Sequence, residues 1–146
     1  MKLLDLIFPT KLAYAHCDIP CGVYDPKPAQ MAAESVSKMV DKILNQAALD
    51  EKDPSSRVNH HNNMARFVIV KEQQAEICKR EVLILWTDFF KEDNLKDFPE
   101  LHSLVWKTTK LCSKNKREVS LETAKELQEC VVKIAQIFAK VKAAAK

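Results

Sequence analysis

His16, Cys17 and Cys21 place one imidazole and two thiols within six residues, with Asp18, Pro20, Gly22 and Tyr24 between and just after them. Gly22 is the only glycine in 146 residues, where a chain of average composition holds about ten. A lone glycine directly after a cysteine points to a bend that a Cβ would obstruct. If His16 is the first residue of the working chain, its α-amine joins the donor set. Such an amine titrates near pH 8, so a metal displaces its proton readily, and a metal-bound thiol is deprotonated outright. The amine nitrogen, the amide nitrogen of Cys17 and the sulfurs of Cys17 and Cys21 can then form an N₂S₂ plane, with the imidazole free to bind above it. A planar set suits Ni(II) or Cu(II), whereas structural zinc takes a tetrahedron, commonly built from paired Cys/His elements. Thiolates reduce Cu(II) or hold Cu(I), so a redox-cycling site of this composition favours nickel. The thiol spacing alone equally fits incidental cysteines or a disulfide in an N-terminal arm.

The amine exists only if residues 1–15 are removed. Ala13-Tyr14-Ala15 has the small-residue pattern of a signal-peptide cleavage site, but Asp5 interrupts the apolar run from Leu3 to Phe8, and Pro9 and Lys11 follow. The segment reads as a short leader removed from a protein that stays in the cytoplasm. No stretch approaches the roughly 20 apolar residues of a membrane span. The 23 basic and 20 acidic residues are interleaved, which argues against a nucleic-acid surface. Cys78, Cys112 and Cys130 each fall in an apolar helical pattern, as reduced core thiols do.

The elements that must carry the arm are helical. Few glycines and abundant Ala, Lys, Glu, Leu and Gln favour helix over sheet. Ala29, Ala33, Val36, Val40, Ile43 and Ala47 step by four and three along one face, predicting a helix from Pro28 to Leu49. A break is expected at Pro54, with Ser55 or Ser56 as the next cap. Phe67–Val70 and Val82–Trp86 are rich in strand formers, yet the stepping from Met64 through Val68, Lys71, Ala75, Cys78, Val82 and Leu85 to Phe89 predicts one helix over 56–90. After a break at 94–99, Leu101, Leu104, Val105, Thr108 and Leu111 mark a third helix. Ser120 caps a fourth, whose core face is Ala124, Leu127, Val131, Ile134, Phe138 and Val141. The expected fold is all-α, with residues 1–15 a leader, 16–27 a metal-binding hook and 28–146 a four-helix bundle.

The run from His16 to Pro26 resembles the nickel hook of the nickel superoxide dismutase family. The similarity continues through Ala33-Glu34-Ser35-Val36, Lys71-Glu72-Gln73, Leu85-Trp86-Thr87-Asp88 and Phe98-Pro99-Glu100-Leu101-His102. The resemblance implies one nickel ion per subunit, held by His16, Cys17 and Cys21 and alternating between Ni(II) and Ni(III) as superoxide is converted to oxygen and hydrogen peroxide. It implies an imidazole bound in the oxidised state and released in the reduced one. Asp18 and Tyr24 fall at family positions that order the hook and the approach to the metal. It also implies a homohexamer and a protease that frees His16. Two positions depart from the better-known branch of the family. Ala32 and Gln74 stand where a glutamate backed by an arginine holds the imidazole, and Phe89 replaces a tyrosine.

Other residues carry blander readings. His60 and His61 are expected to be solvated, and His102 to be a cap or an interface residue. Trp86, Phe89, Phe90 and Trp106 are expected in the core or at subunit contacts. Lys91, Lys110 and Lys116 are candidates for attracting an anionic substrate. Against the enzyme stand two alternatives, a nickel or copper carrier without turnover and a thiol-redox interaction module. Either could tolerate an intact leader.

Overall fold

The long helices form along the apolar stripes of the sequence. A computed structural model of the chain describes residues 23–144. Among these, α1 spans Lys27–Leu44, α2 Pro54–Ile84, α3 Asn94–Asp97, α4 Leu101–Arg117 and α5 Leu121–Ala144, and there is no strand. The four long helices make the bundle. α2 packs on α1 and α4, and α5 packs on the same two from the other side. Val36, Val40, Cys78, Val82, Leu101, Leu127, Val131 and Ile134 fill the space between them. The predicted faces of α1 and α5 are the buried ones, except that Ala47 lies beyond the end of α1 and is exposed.

Three boundaries differ from the sequence expectation, each for a local reason. α1 stops at Leu44 because Asn45 turns its side chain back to the Asp41 carboxylate, at 2.8 Å. Gln46 then donates to the His60 carbonyl at 2.9 Å, tying the departing chain to α2. Pro54 does not precede the second helix but opens it. Asp53 is the cap, its carboxylate accepting from the Ser55 and Ser56 amides at 2.9 and 3.1 Å. Proline is suited to a first helical turn because the missing N–H has no intrahelical partner there.

The far end of α2 also departs from a plain helix. Leu85–Phe89 is a π-helical turn, closed by the Phe90 amide donating to the Leu85 carbonyl at 3.0 Å. The extra residue brings Phe90 into the core, alongside a Phe89 already packed on it. The break that follows contains α3, whose Asn94 side chain accepts from the Lys91 amide at 2.8 Å. Ser120 caps α5 as expected, accepting from the Thr123 amide at 3.2 Å.

One end of the bundle is closed by a polar clasp. Lys71, only 2% exposed, runs from α2 to the C-terminus of α4 and donates to the carbonyls of Asn115, Lys116 and Glu118, the last two at 3.0 and 3.2 Å. Those carbonyls have no partner within the helix, so the ammonium satisfies them and sits at the negative end of the helix dipole. Burial pushes the Lys71 pKa below the ordinary lysine range. Asn115, buried beside it, donates to the Leu111 and Thr123 carbonyls at 3.0 and 3.2 Å and so joins α4 to α5.

Candidate metal centre

His16, Cys17, Asp18 and Cys21 lie outside the described residues, as does the leader. The structure begins where the hook joins the bundle. Asp25 accepts from the Lys27 amide at 2.7 Å, and Pro26 and Pro28 hold the chain as it turns into α1. That rigid entry sets Tyr24 half-buried against the core. Its ring meets Phe89 edge-on with centroids 6.0 Å apart. Phe89 in turn packs on Phe90 at 5.1 Å and on Phe138 of α5 at 4.2 Å. The Lys142 ammonium lies 5.4 Å from the Phe138 ring centre. Each such ring pair contributes about 1 kcal/mol beyond area burial.

The described thiols are elsewhere. Cys78 and Cys112 are fully buried in the bundle, and Cys130 is buried on α5. A hydrogen bond to the Cys112 thiol, followed by burial, pushes Cys78 far above the ordinary thiol range, and burial pushes Cys130 up as well. Metal binding needs thiolates, and these two thiols are held protonated. Among the described residues no group of three or more His, Cys, Asp or Glu could hold a metal ion. His60 and His61 only stack edge-on against each other at 5.7 Å, and exposed His102 does the same with Trp86 at 5.7 Å. The donor set proposed from sequence therefore has no competitor among the described residues.

Ala32 lies on α1 and Gln74 on α2, two helices that pack against each other. Ala32 is buried and Gln74 half-buried. Glu34, two residues along, does not supply the missing acid. It is exposed and ion-paired with Lys38 at 2.7 Å, which holds its carboxyl below the usual range.

The match of this chain to known proteins settles its kinship. The family model for nickel-containing superoxide dismutase matches residues 11–142. The chain is 36% identical over 137 residues to the superoxide dismutase (Ni) of Streptomyces coelicolor, covering 93% of this chain and 95% of that one. It is 35% identical over 137 residues, with the same coverage of both chains, to the superoxide dismutase (Ni) of Streptomyces seoulensis. The native structure of a nickel superoxide dismutase superposes with a TM-score of 0.72 at 36% identity, covering 88% of this chain and 99% of that one. The chain belongs to the nickel-containing superoxide dismutase family.

As a nickel superoxide dismutase family member, the chain keeps the family's fold while differing beside the site. Phe89 belongs to the ring cluster that meets Tyr24, so the hydroxyl lost there is exchanged for an apolar wall. Sequence reading missed Phe138 as a member of the ring cluster that Tyr24 joins, because its spacing on α5 marks only a core position. The π-helical turn left no signal either, since Leu85 and Phe89 keep the ordinary α spacing. Trp106, expected in the core or at a subunit contact, is 61% exposed and carries Lys110 5.3 Å from its ring centre. Lys116 is paired with Glu76 at 2.8 Å, and the Lys142 ammonium lies over the Phe138 ring of the cluster that Tyr24 joins.

Proposed function

We propose that this chain dismutates superoxide at a nickel ion held by its first residues after cleavage between Ala15 and His16. The observation that supports the assignment of ligands is the lack of another donor cluster among the described residues. The described cysteines are core thiols, and no described cluster has enough donors, while residues 16–21 hold amine, amide, imidazole and two thiols in one stretch. Nickel held there supplies one-electron oxidation of one superoxide and one-electron reduction of the next, giving oxygen and hydrogen peroxide. The anionic sulfur and amide donors of Cys17 and Cys21 favour the higher oxidation state, which brings the potential between those of the two half-reactions. The His16 imidazole would be a further donor to the ion. Tyr24 offers a hydroxyl to a water or an anionic oxygen, and Asp18 orders the hook.

The carboxylate and guanidinium that orient the imidazole elsewhere in the family are absent here, since Ala32 and Gln74 carry no charge. Such a partner fixes imidazole orientation, so either another group does this here or the imidazole is held more loosely. The chain works as a homohexamer in the cytoplasm, once a protease has removed the leader. Val58, Ile69 and Ile77 on α2 and Trp106 on α4, all exposed, supply apolar surface for subunit contacts. Among the described residues no helix is long and apolar enough to cross a membrane.

The ligand assignment is tested in the chain beginning at His16. Cys17→Ser and Cys21→Ser, each loaded with nickel beside the unsubstituted chain, should lose superoxide consumption by at least about a hundredfold and lose the thiolate-to-nickel absorption. Variants that keep both would place the metal elsewhere. Nickel bound without turnover in the unsubstituted chain would favour a carrier.

A further inference from the structure

Three rings join the hook to the far helix of the bundle. Tyr24 meets Phe89 at 6.0 Å with the planes at 60°, and Phe89 lies on Phe138 at 4.2 Å with the planes at 35°. Phe89 comes from the π-helical turn, and Phe138, 5% exposed, comes from α5. Phe138 belongs to neither the hook nor the helix the hook enters, and its outer side is covered by the Lys142 ammonium. A ring held on both sides in this way has one resting orientation, and a ring packed edge-on against it inherits that restraint. A π-helical turn is also an uncommon element, which tends to occur where a helix must aim particular side chains. Here it aims two successive phenylalanines inward at the level of Tyr24.

We propose that Phe138 is a positioning residue which, through Phe89, fixes the ring of Tyr24 beside the metal hook. The role given to Tyr24 rests on the function proposed above; the restraint on its ring does not. Phe89 offers no hydroxyl, so its hold on Tyr24 is by packing.

The sequence makes the restraint measurable. The chain has two tyrosines, Tyr14 and Tyr24, so the full chain carrying Tyr14→Phe reports on Tyr24 alone. Grown with 3-fluorotyrosine, it should give one sharp fluorine resonance. Phe138→Leu should shift and broaden that line, Phe89→Leu should do so as well, and Phe138→Trp, which keeps an aromatic face, should return it towards its original position. Ile134→Ala, in the core of the same helix, should lower the melting temperature without moving the line. A line that stays in place in Phe138→Leu, or that Ile134→Ala moves equally, overturns the proposal. If Phe138→Leu does not fold, the Phe89→Leu and Phe138→Trp lines decide the same question.

Turnover supplies a second arm in the nickel-loaded chain beginning at His16. Phe138→Leu should lower kcat by about threefold to tenfold. The same change made in a Tyr24→Phe background should cost nothing more, because its effect passes through Tyr24. Full additivity of the two losses would overturn the proposal. If the unsubstituted chain has no turnover, the function above fails, and the fluorine line still decides whether Phe138 sets the ring.

Discussion

The two ends of the bundle are held by opposite chemistry. At one, Lys71 donates to the open carbonyls at the C-terminus of α4 and Asn115 to the Leu111 and Thr123 carbonyls, and the contacts there are directional hydrogen bonds. At the other, Tyr24, Phe89, Phe90 and Phe138 meet ring against ring, and the contacts are apolar. A hydrogen-bonded clasp fixes the helices through directional contacts. The ring cluster holds Tyr24 by packing. The difference teaches that stability and placement of the site are divided between the ends.

The largest effect on that division is expected from Lys71→Met. Removing the ammonium leaves three carbonyls at the end of α4 without their donor, at a cost of about 2 kcal/mol in unfolding free energy. Denaturant melts should show the loss. Superoxide turnover per folded molecule and the Tyr24 fluorine line should both stay as they were. A Lys71→Met protein that folds well but turns over slowly would break the comparison by linking the clasp to the site. Phe138→Leu is the converse case, in which the site responds more than the stability of the clasp.

A smaller effect comes from Lys116 on the surface beside the clasp. Its ion pair with Glu76 at 2.8 Å holds the glutamate carboxyl below the usual range. A lowered carboxylate pKa contributes stability that is present above the unfolded value, about 4.3, and is lost as pH falls through the folded one. The difference in stability between the unsubstituted chain and Lys116→Met should therefore be small at pH 7, shrink further below pH 4, and weaken with added salt. A difference that grows on acidification would mean that another group provides it.

Much of this arrangement was legible before the fold was known. The stepping of Ala124, Leu127, Val131, Ile134 and Phe138 named the core face of α5, because a stripe at alternating three and four can be buried only on one side of a helix. Helix ends were less legible. Pro54 with Ser55 and Ser56 marks a break between two helices, yet it is Asp53 before it that supplies the cap and makes the proline a first-turn residue. Asn45 ends α1 early through a side-chain contact that no periodicity announces. The hook's donor types were plain in the sequence, since metal chemistry depends on which atoms are near in the chain. Its neighbours were not. Phe138 lies more than a hundred residues from Tyr24, and only the packing of α5 against the start of α1 brings the two to one cluster.

The central claim is that the amine of His16 completes the site, and one comparison tests it directly. The full chain and the chain beginning at His16, each loaded with nickel at the same protein concentration, are assayed for superoxide consumption. The account predicts rapid, nickel-dependent consumption by the shorter chain and at most about one hundredth of that rate from the full chain, whose His16 nitrogen is an amide. Equal rates from an uncleaved full chain, its mass verified after the assay, would contradict it.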